Sequence, residues 1–361
     1  MNNIFEYAPK ELVLDSFICW LFNFFNTDNK NDKKTAIELI SKFYCFKNCD
    51  FKLLDIKSVD IKKQHEKSKI DVFIEITLQN NKKIYYIFEN KVDTSHHSDQ
   101  MNRHLESGKG LDGEKRYFYL KIGYIFPIDK LIPKEFTIID LKDFIDLIQS
   151  SDFKYDTFEM YLEFLKKRRD EIENILKLTF KEKLNEEDIK KIFNSDVAMY
   201  EIINKIKEGM VNKNVEIGMG SSSGRPWVSL NLFSKDVYFD ENKEWSGIFW
   251  RMDWRVNADD KKIDKDKGSP YLCLRQYKTW ENESEMDSKY FEKNREIFKE
   301  VIKEFPKYEN GKIHNRGNKE REIGIIFFNE KISIKTFVKD ISKVTDRFIE
   351  LVKMNKSFYE E

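Results

Sequence analysis

Asp71 and the run Glu89-Asn90-Lys91 lie on two neighbouring β-rich stretches, IDVFIEITLQ and KIYYIFENK, and together offer two carboxylates and a lysine. Hydrolysis of a phosphodiester needs an activated water, relief of crowded negative charge and help for the departing oxygen. One or two Mg²⁺ ions held by carboxylates supply all three. In such an arrangement Asp71 and Glu89 ligate the metal and the Asn90 carbonyl adds a neutral oxygen, while Lys91 orients the water or stabilises developing charge. Ile70, Val72, Ile84, Tyr86, Ile87 and Phe88 surround these groups with apolar neighbours, where an unpaired charge is costly. The plainer reading of the same residues is a structural ion pair between Glu89 and Lys91.

Strand alternation puts Glu89 and Lys91 on one face, with Tyr86, Phe88 and Asn90 on the other. Asp71 reaches the same metal only if it emerges beside Glu89, which constrains the turn. A two-residue turn at Asn80-Asn81 would set Asp71 opposite Asn90 and send it to the wrong face. An odd loop is therefore expected, most simply Asn80-Asn81-Lys82 with Asp71 opposite Lys91, or else a bulge, and Asn81 is the residue suited to a positive φ. Around this hairpin the spacing of apolar residues predicts helices over 10–25, 36–44 and 98–107, and strands over 116–126 and 136–140. Two further helices are expected within 141–176, broken near 150–156.

The residues IDVFIEI, IFENKVD and Gln100 resemble the PD-(D/E)XK nuclease superfamily, with Ile70-Asp71 at the PD step and Glu89-Asn90-Lys91 at the (D/E)XK step. The chain is most similar to a bacterial branch with a glutamate on an N-terminal helix, here within KELVLDSFICWLF, and the likeness covers roughly residues 1–175. The resemblance implies a restriction-endonuclease-like α/β core, a mixed sheet flanked by helices, that cuts nucleic acid with Mg²⁺ or Mn²⁺. It further implies Glu11 as the helix acid beside the metal and Gln100 as the glutamine of the helix after the lysine strand. The family pattern often continues Gln-x-x-x-Tyr, but His104 stands here, which leaves a substrate contact by that residue less supported. Ile70 replaces the proline of the PD step and leaves the metal ligand intact. DNA is the implied substrate, and defence against phage or mobile DNA is a role that stand-alone bacterial nucleases of this type serve. A homo-oligomer or a partner protein of a defence system would accompany that role. A ribonuclease with the same site, or a binding protein that keeps the fold without turnover, are the rival readings.

With 361 residues and roughly 150 per domain, the chain is expected to hold a nuclease domain over 1–176, a helical linker over 177–214 and an α+β recognition or regulatory domain over 215–361 with an antiparallel sheet. The 64 basic residues balance the 64 acidic ones, so attraction to a polyanion must come from local basic groups and not from net charge. In the last third, Trp227, Trp245, Trp250, Trp254 and Trp280 interleave with Arg225, Arg251, Arg255 and Arg275. Arg251 and Arg255, with His104, are candidates to contact nucleic acid, and the alternative is an aromatic core rimmed by arginines. GMGSSSGR (218–225) lacks the ending of a phosphate-binding loop and reads as a hairpin connection. The histidines His65, His96, His97 and His104 and the cysteines Cys19, Cys45, Cys49 and Cys273 follow no zinc spacing. The N-terminus lacks the features of a signal peptide or membrane span, so a cytoplasmic protein is expected.

Overall fold

The computed structural model describes residues 3–7, 10–48, 50–65, 70–94, 98–211, 215–222, 225–232, 247–255, 269–277, 285–308, 320–328 and 331–355. It divides into two compact units, Met1–Ile172 and Glu173–Glu361. No helix among the described residues is long and apolar enough to cross a membrane.

The first unit is built on a mixed five-stranded sheet, in spatial order β1 (Ile56–His65), β2 (Ile70–Leu78), β3 (Lys83–Lys91), β4 (Glu114–Lys121) and β5 (Phe136–Ile139). The first three strands are antiparallel, whereas β3, β4 and β5 run parallel. Alternation sends Val72, Ile74, Tyr86, Phe88, Phe118 and Leu120 into one large core, which they share with Leu14, Phe22, Leu39, Phe43, Phe144 and Tyr161. Those partners come from α1 (Lys10–Asn23), α2 (Lys30–Cys45), α4 (Leu141–Gln149) and α5 (Asp156–Thr179). On the opposite face α3 (Ser98–Lys109) lays Met101 and Leu105 against Tyr117, Tyr119 and Phe136. The sheet thus lies between helices, with polar residues reaching its buried faces only near the ends of β2, β3 and β4.

Several boundaries differ from the sequence reading. Helix α2 begins at Lys30, not Ala36, because the Asn29 side chain accepts the amides of Asn31 and Asp32 at 3.0 and 3.4 Å and caps the helix there. Strand β4 stops at Lys121 and does not continue to Phe126, whose amide donates to Asp129 at 2.9 Å. The edge strand β1 was not foreseen.

In the second unit an antiparallel sheet runs in the order β10 (Glu320–Phe327), β9 (Ser269–Tyr277), β8 (Ile248–Arg255), β7 (Arg225–Asn231), β6 (Glu216–Ser222). It is accompanied by α6 (Glu186–Phe193), α7 (Asp196–Gly209), α8 (Glu285–Lys303) and α9 (Ile334–Met354). The stretch 177–214, read as a linker, lies in this unit: α7 packs on β7 and α9, and its Val197, Ala198, Ile202, Ile203 and Ile206 are buried. The glycine-rich run begins within β6, where Gly218 and Gly220 pair with Ser229 and Trp227, and reaches the first residue of the antiparallel β7, with 223–224 outside the described residues.

Candidate active site

The hairpin loop decides whether the site can exist. Val72 pairs with Phe88 and Thr77 with Lys83, so one further step along the ladder sets Asp71 opposite Glu89 on a shared face. The loop is Gln79-Asn80-Asn81, closed by the Leu78 amide on the Lys82 carbonyl at 2.9 Å and by the Asn81 amide on Leu78 at 2.9 Å. It has the odd count that the geometry required, and Asn81 takes the positive φ, at 62°. It begins one residue earlier than expected, because the Asn80 side chain accepts the Lys82 amide at 3.0 Å and holds the turn there. The register moves by two, and Asp71 faces Glu89 where Lys91 was expected.

Glu89 is wholly buried, with Lys91 and His104 close to it. One of its carboxylate oxygens pairs with the Lys91 ammonium, and the other meets His104 Nε2 at 2.6 Å. Burial pushes the Glu89 carboxyl up, but the His104 and Lys91 contacts outweigh it and hold the group below its ordinary value. Lys91 is raised: burial works against its charge, and Glu89, then Asp71 and Glu11, more than compensate. Asp71 behaves in the opposite way. Burial, the neighbouring Glu89 charge and the more distant Asp15 push it up to about 7, against the Asn90 amide, which donates to it at 2.8 Å.

Asn90 lies on the other face, where its side-chain amide donates to Asp15 at 2.8 Å. Asn90 therefore links Asp71 to Asp15, a buried acid of α1. Asp15 was not singled out from the sequence, where it sits within the apolar helix run, although it lies one helical turn after Glu11 on the same face. Glu11 is half-buried and accepts the Thr94 hydroxyl at 2.8 Å, beyond the end of β3. Gln100 is half-buried in the first turn of α3, one turn before His104. The ring of His104, expected to face nucleic acid, is buried on Glu89 instead.

Among the described residues no group of three or more His, Cys, Asp or Glu side chains is arranged to hold a metal ion. The side-by-side pair of Asp71 and Glu89 remains. Two carboxylates suit Mg²⁺, which keeps several waters and takes one or two carboxylates together with substrate phosphate oxygens. The raised Asp71 fits the same ion, since a cation there would relieve its repulsion from Glu89. The buried side-chain oxygen of Asn90 and Nδ1 of His104 have no hydrogen-bond partner. Each Glu89 oxygen already accepts one contact, so a cation at the pair would share an oxygen with Lys91 or His104.

In the second unit Trp250 and Met252 are buried, and the Trp250 indole donates to Thr345 at 2.9 Å, so this tryptophan belongs to the core. Arg251 stacks over Trp227 at 4.8 Å and pairs with Asp253 at 3.2 Å. Trp245, Trp280, His96, His97, Cys49 and the side chains of Arg225, Trp254, Arg255 and His65 lie outside the described residues, and Cys19, Cys45 and Cys273 form no disulfide among the described residues. Compared with profiles of known protein families, with curated proteins and with solved structures, the chain gives no match.

Proposed function

We propose that the first unit is a Mg²⁺- or Mn²⁺-dependent nuclease with a restriction-endonuclease-like core, hydrolysing phosphodiester bonds of DNA. One observation carries this reading: Asp71 and Glu89 stand side by side on one face with Lys91 two residues on, and burial and the Glu89 charge raise Asp71 by more than the Asn90 amide and Lys91 lower it. When bound, the cation supplies charge neutralisation at the phosphate and a more acidic water. Asp71 and Glu89 are the residues that would hold it. Lys91, whose charge burial alone would weaken, is kept protonated by Glu89 and stands ready to stabilise negative charge on the phosphate oxygens. His104 positions Glu89, and Asn90 positions Asp71 through its backbone amide.

Glu11 and Gln100 flank the pair in this reading. The second unit serves recognition or control, with Arg251 and Arg255 as its candidate contacts to nucleic acid. Defence against phage or mobile DNA is the biological role we attach to the activity, on the strength of the sequence resemblance alone. The test is incubation of the full chain with plasmid, single-stranded DNA and RNA, in Mg²⁺ or Mn²⁺ against chelator. Metal-dependent loss of intact DNA is expected. Preference for RNA would make it a ribonuclease with the same site, and no cleavage of any substrate would remove the reading.

A further inference from the structure

Beyond β4 the chain does something that neither the fold nor the carboxylate pair demands. It turns back over the strand as a short 3-10 turn, Pro127–Leu131, and buries one residue of that turn, Asp129, completely. Asp129 accepts the Tyr119 hydroxyl at 2.7 Å, the Lys121 ammonium at 2.6 Å and the Phe126 amide at 2.9 Å. Lys121 also lies 4.8 Å from the centre of the Phe126 ring. Tyr119 and Lys121 are the β4 register partners of Glu89 and Lys91, so the turn is pinned to the sheet face that carries the candidate site, one strand away from it.

The residues beside the anchor point outward. Ile128 is 47% exposed and Leu131 78%, and the exposed side chains of Lys130 and Lys134 flank them. A buried ion pair is a poor source of net stability, because desolvating two charges offsets most of their attraction, and its best-attested use is to hold one conformation. Here the conformation held is that of a short turn presenting two apolar side chains to water, with cations beside them. Apolar side chains that enter between base steps, with lysines on the adjoining phosphates, form such a surface.

We propose that the Pro127–Leu131 turn is a wedge that sets Ile128 and Leu131 against partly unstacked bases of a DNA duplex, with Lys130 and Lys134 on its backbone. The assignment rests on the nuclease reading for its choice of DNA as occupant. The carboxylate pair one strand away is where that backbone would be cut.

The test uses the full chain with a duplex oligonucleotide carrying 2-aminopurine, in Ca²⁺ so that binding is followed without turnover, and with plasmid cleavage in Mg²⁺ as a separate arm. Native protein should raise the 2-aminopurine fluorescence. The exposed pair Ile128→Ser/Leu131→Ser should abolish that rise and weaken binding roughly tenfold, the scale of a lost base contact, at an unchanged melting temperature. Lys130→Ala/Lys134→Ala should instead lower the slope of log affinity against log salt by about two, near one for each phosphate contact. If native protein cleaves plasmid but the serine variant binds and unstacks the duplex as the native chain does, the wedge is overturned and the nuclease reading stands. Unstacking that depends on Ile128 and Leu131 in a chain that cleaves nothing would keep the wedge and remove the nuclease reading. Should the serine variant alter only the sedimentation of the protein without DNA, the apolar pair serves a protein contact and the proposal falls.

Discussion

Two buried groups of charge lie on the same sheet face, one strand apart, and they are built differently. Around Asp129 the set is closed: the Tyr119 hydroxyl, the Lys121 ammonium and the Phe126 amide meet the two oxygens of one acid, and both Lys121 and Asp129 are fully sequestered from water. Around Glu89 the set is open. Lys91 and His104 satisfy Glu89, but Asp71 beside it is raised to about 7, and His104 Nδ1 is left without a partner. A fold that needs only a cross-brace can complete it, as β4 does. A set left incomplete at comparable burial is costly unless something else completes it, and that difference separates a candidate site from a structural pair better than burial or charge alone.

Substitution at the open set should give the largest effect. Glu89→Gln and Lys91→Ala are each expected to slow metal-dependent cleavage by about a hundredfold or more, measured on folded protein, the usual loss when an electrostatic contact to the reacting group is removed. Cleavage at native rate in both variants would reduce the open set to another ion pair. At the closed set the loss should be one of stability. Asp129→Ala removes the buried carboxylate that pairs with Lys121 and should cost about 3–5 kcal/mol in denaturant unfolding, whereas Lys121→Met/Asp129→Leu should recover much of that loss. A single variant as stable as the native chain would show that the closed set holds nothing in place.

The third test reads the pH dependence of the open set. Asp71 is held above its unfolded value, near 3.8, so the folded state binds its proton more tightly. That contribution to stability is fully present below about pH 4 and is lost as the pH rises through about 7. Metal-free protein should therefore lose on the order of 2 kcal/mol across this window, and Asp71→Asn should flatten the slope in urea titrations. A cation must displace the same proton, so Mg²⁺ affinity should climb with pH up to about 7 and level off above it. Slopes that are identical in native and Asp71→Asn protein would remove Asp71 from the open set. The smallest effect belongs to the second unit, where Thr345→Val leaves the buried Trp250 indole without its acceptor and should cost about 1–2 kcal/mol. Calorimetric unfolding would measure it, and Mg²⁺ binding should not change.

The strands that carry the open set were legible because they are apolar on both faces and end in turn residues, and because same-face placement of two acids forces an odd loop. The register was legible only to within two residues, since sequence alone does not say which of Gln79, Asn80 and Lys82 the turn absorbs. Strand β1 was missed for a physical reason: it is an edge strand whose few apolar residues, Ile56, Val59 and Ile61, are interspersed with Lys57, Asp60, Lys62 and Lys63, and its pairing with β2 shifts between Ile56 and Ser58. Asp15 was hidden among Leu14, Phe17 and Ile18, where a buried acid looks like a solvent-facing break in an apolar helix. The turn over Lys121 escaped because a strand was extended through the apolar residues that follow it. Nothing local in FPIDKL shows that its single acid turns inward.

The Gln79-Asn80-Asn81 loop has a consequence for mutational tolerance. Seven residues along β2, at roughly 3.3 Å each, separate Asp71 from Leu78, so the loop lies more than about 20 Å from the carboxylates. Surface loops usually absorb insertions and deletions without harm, and a distant exposed tip would be a first choice for a tag or a truncation. Here the tip acts as a parity counter. Deleting one residue reverses which side of the sheet Asp71 occupies relative to Glu89, while adding or removing two restores the side and slides the partners past each other. Length changes in this loop should therefore alternate between severe and mild with odd and even count, although no residue of the loop touches the site.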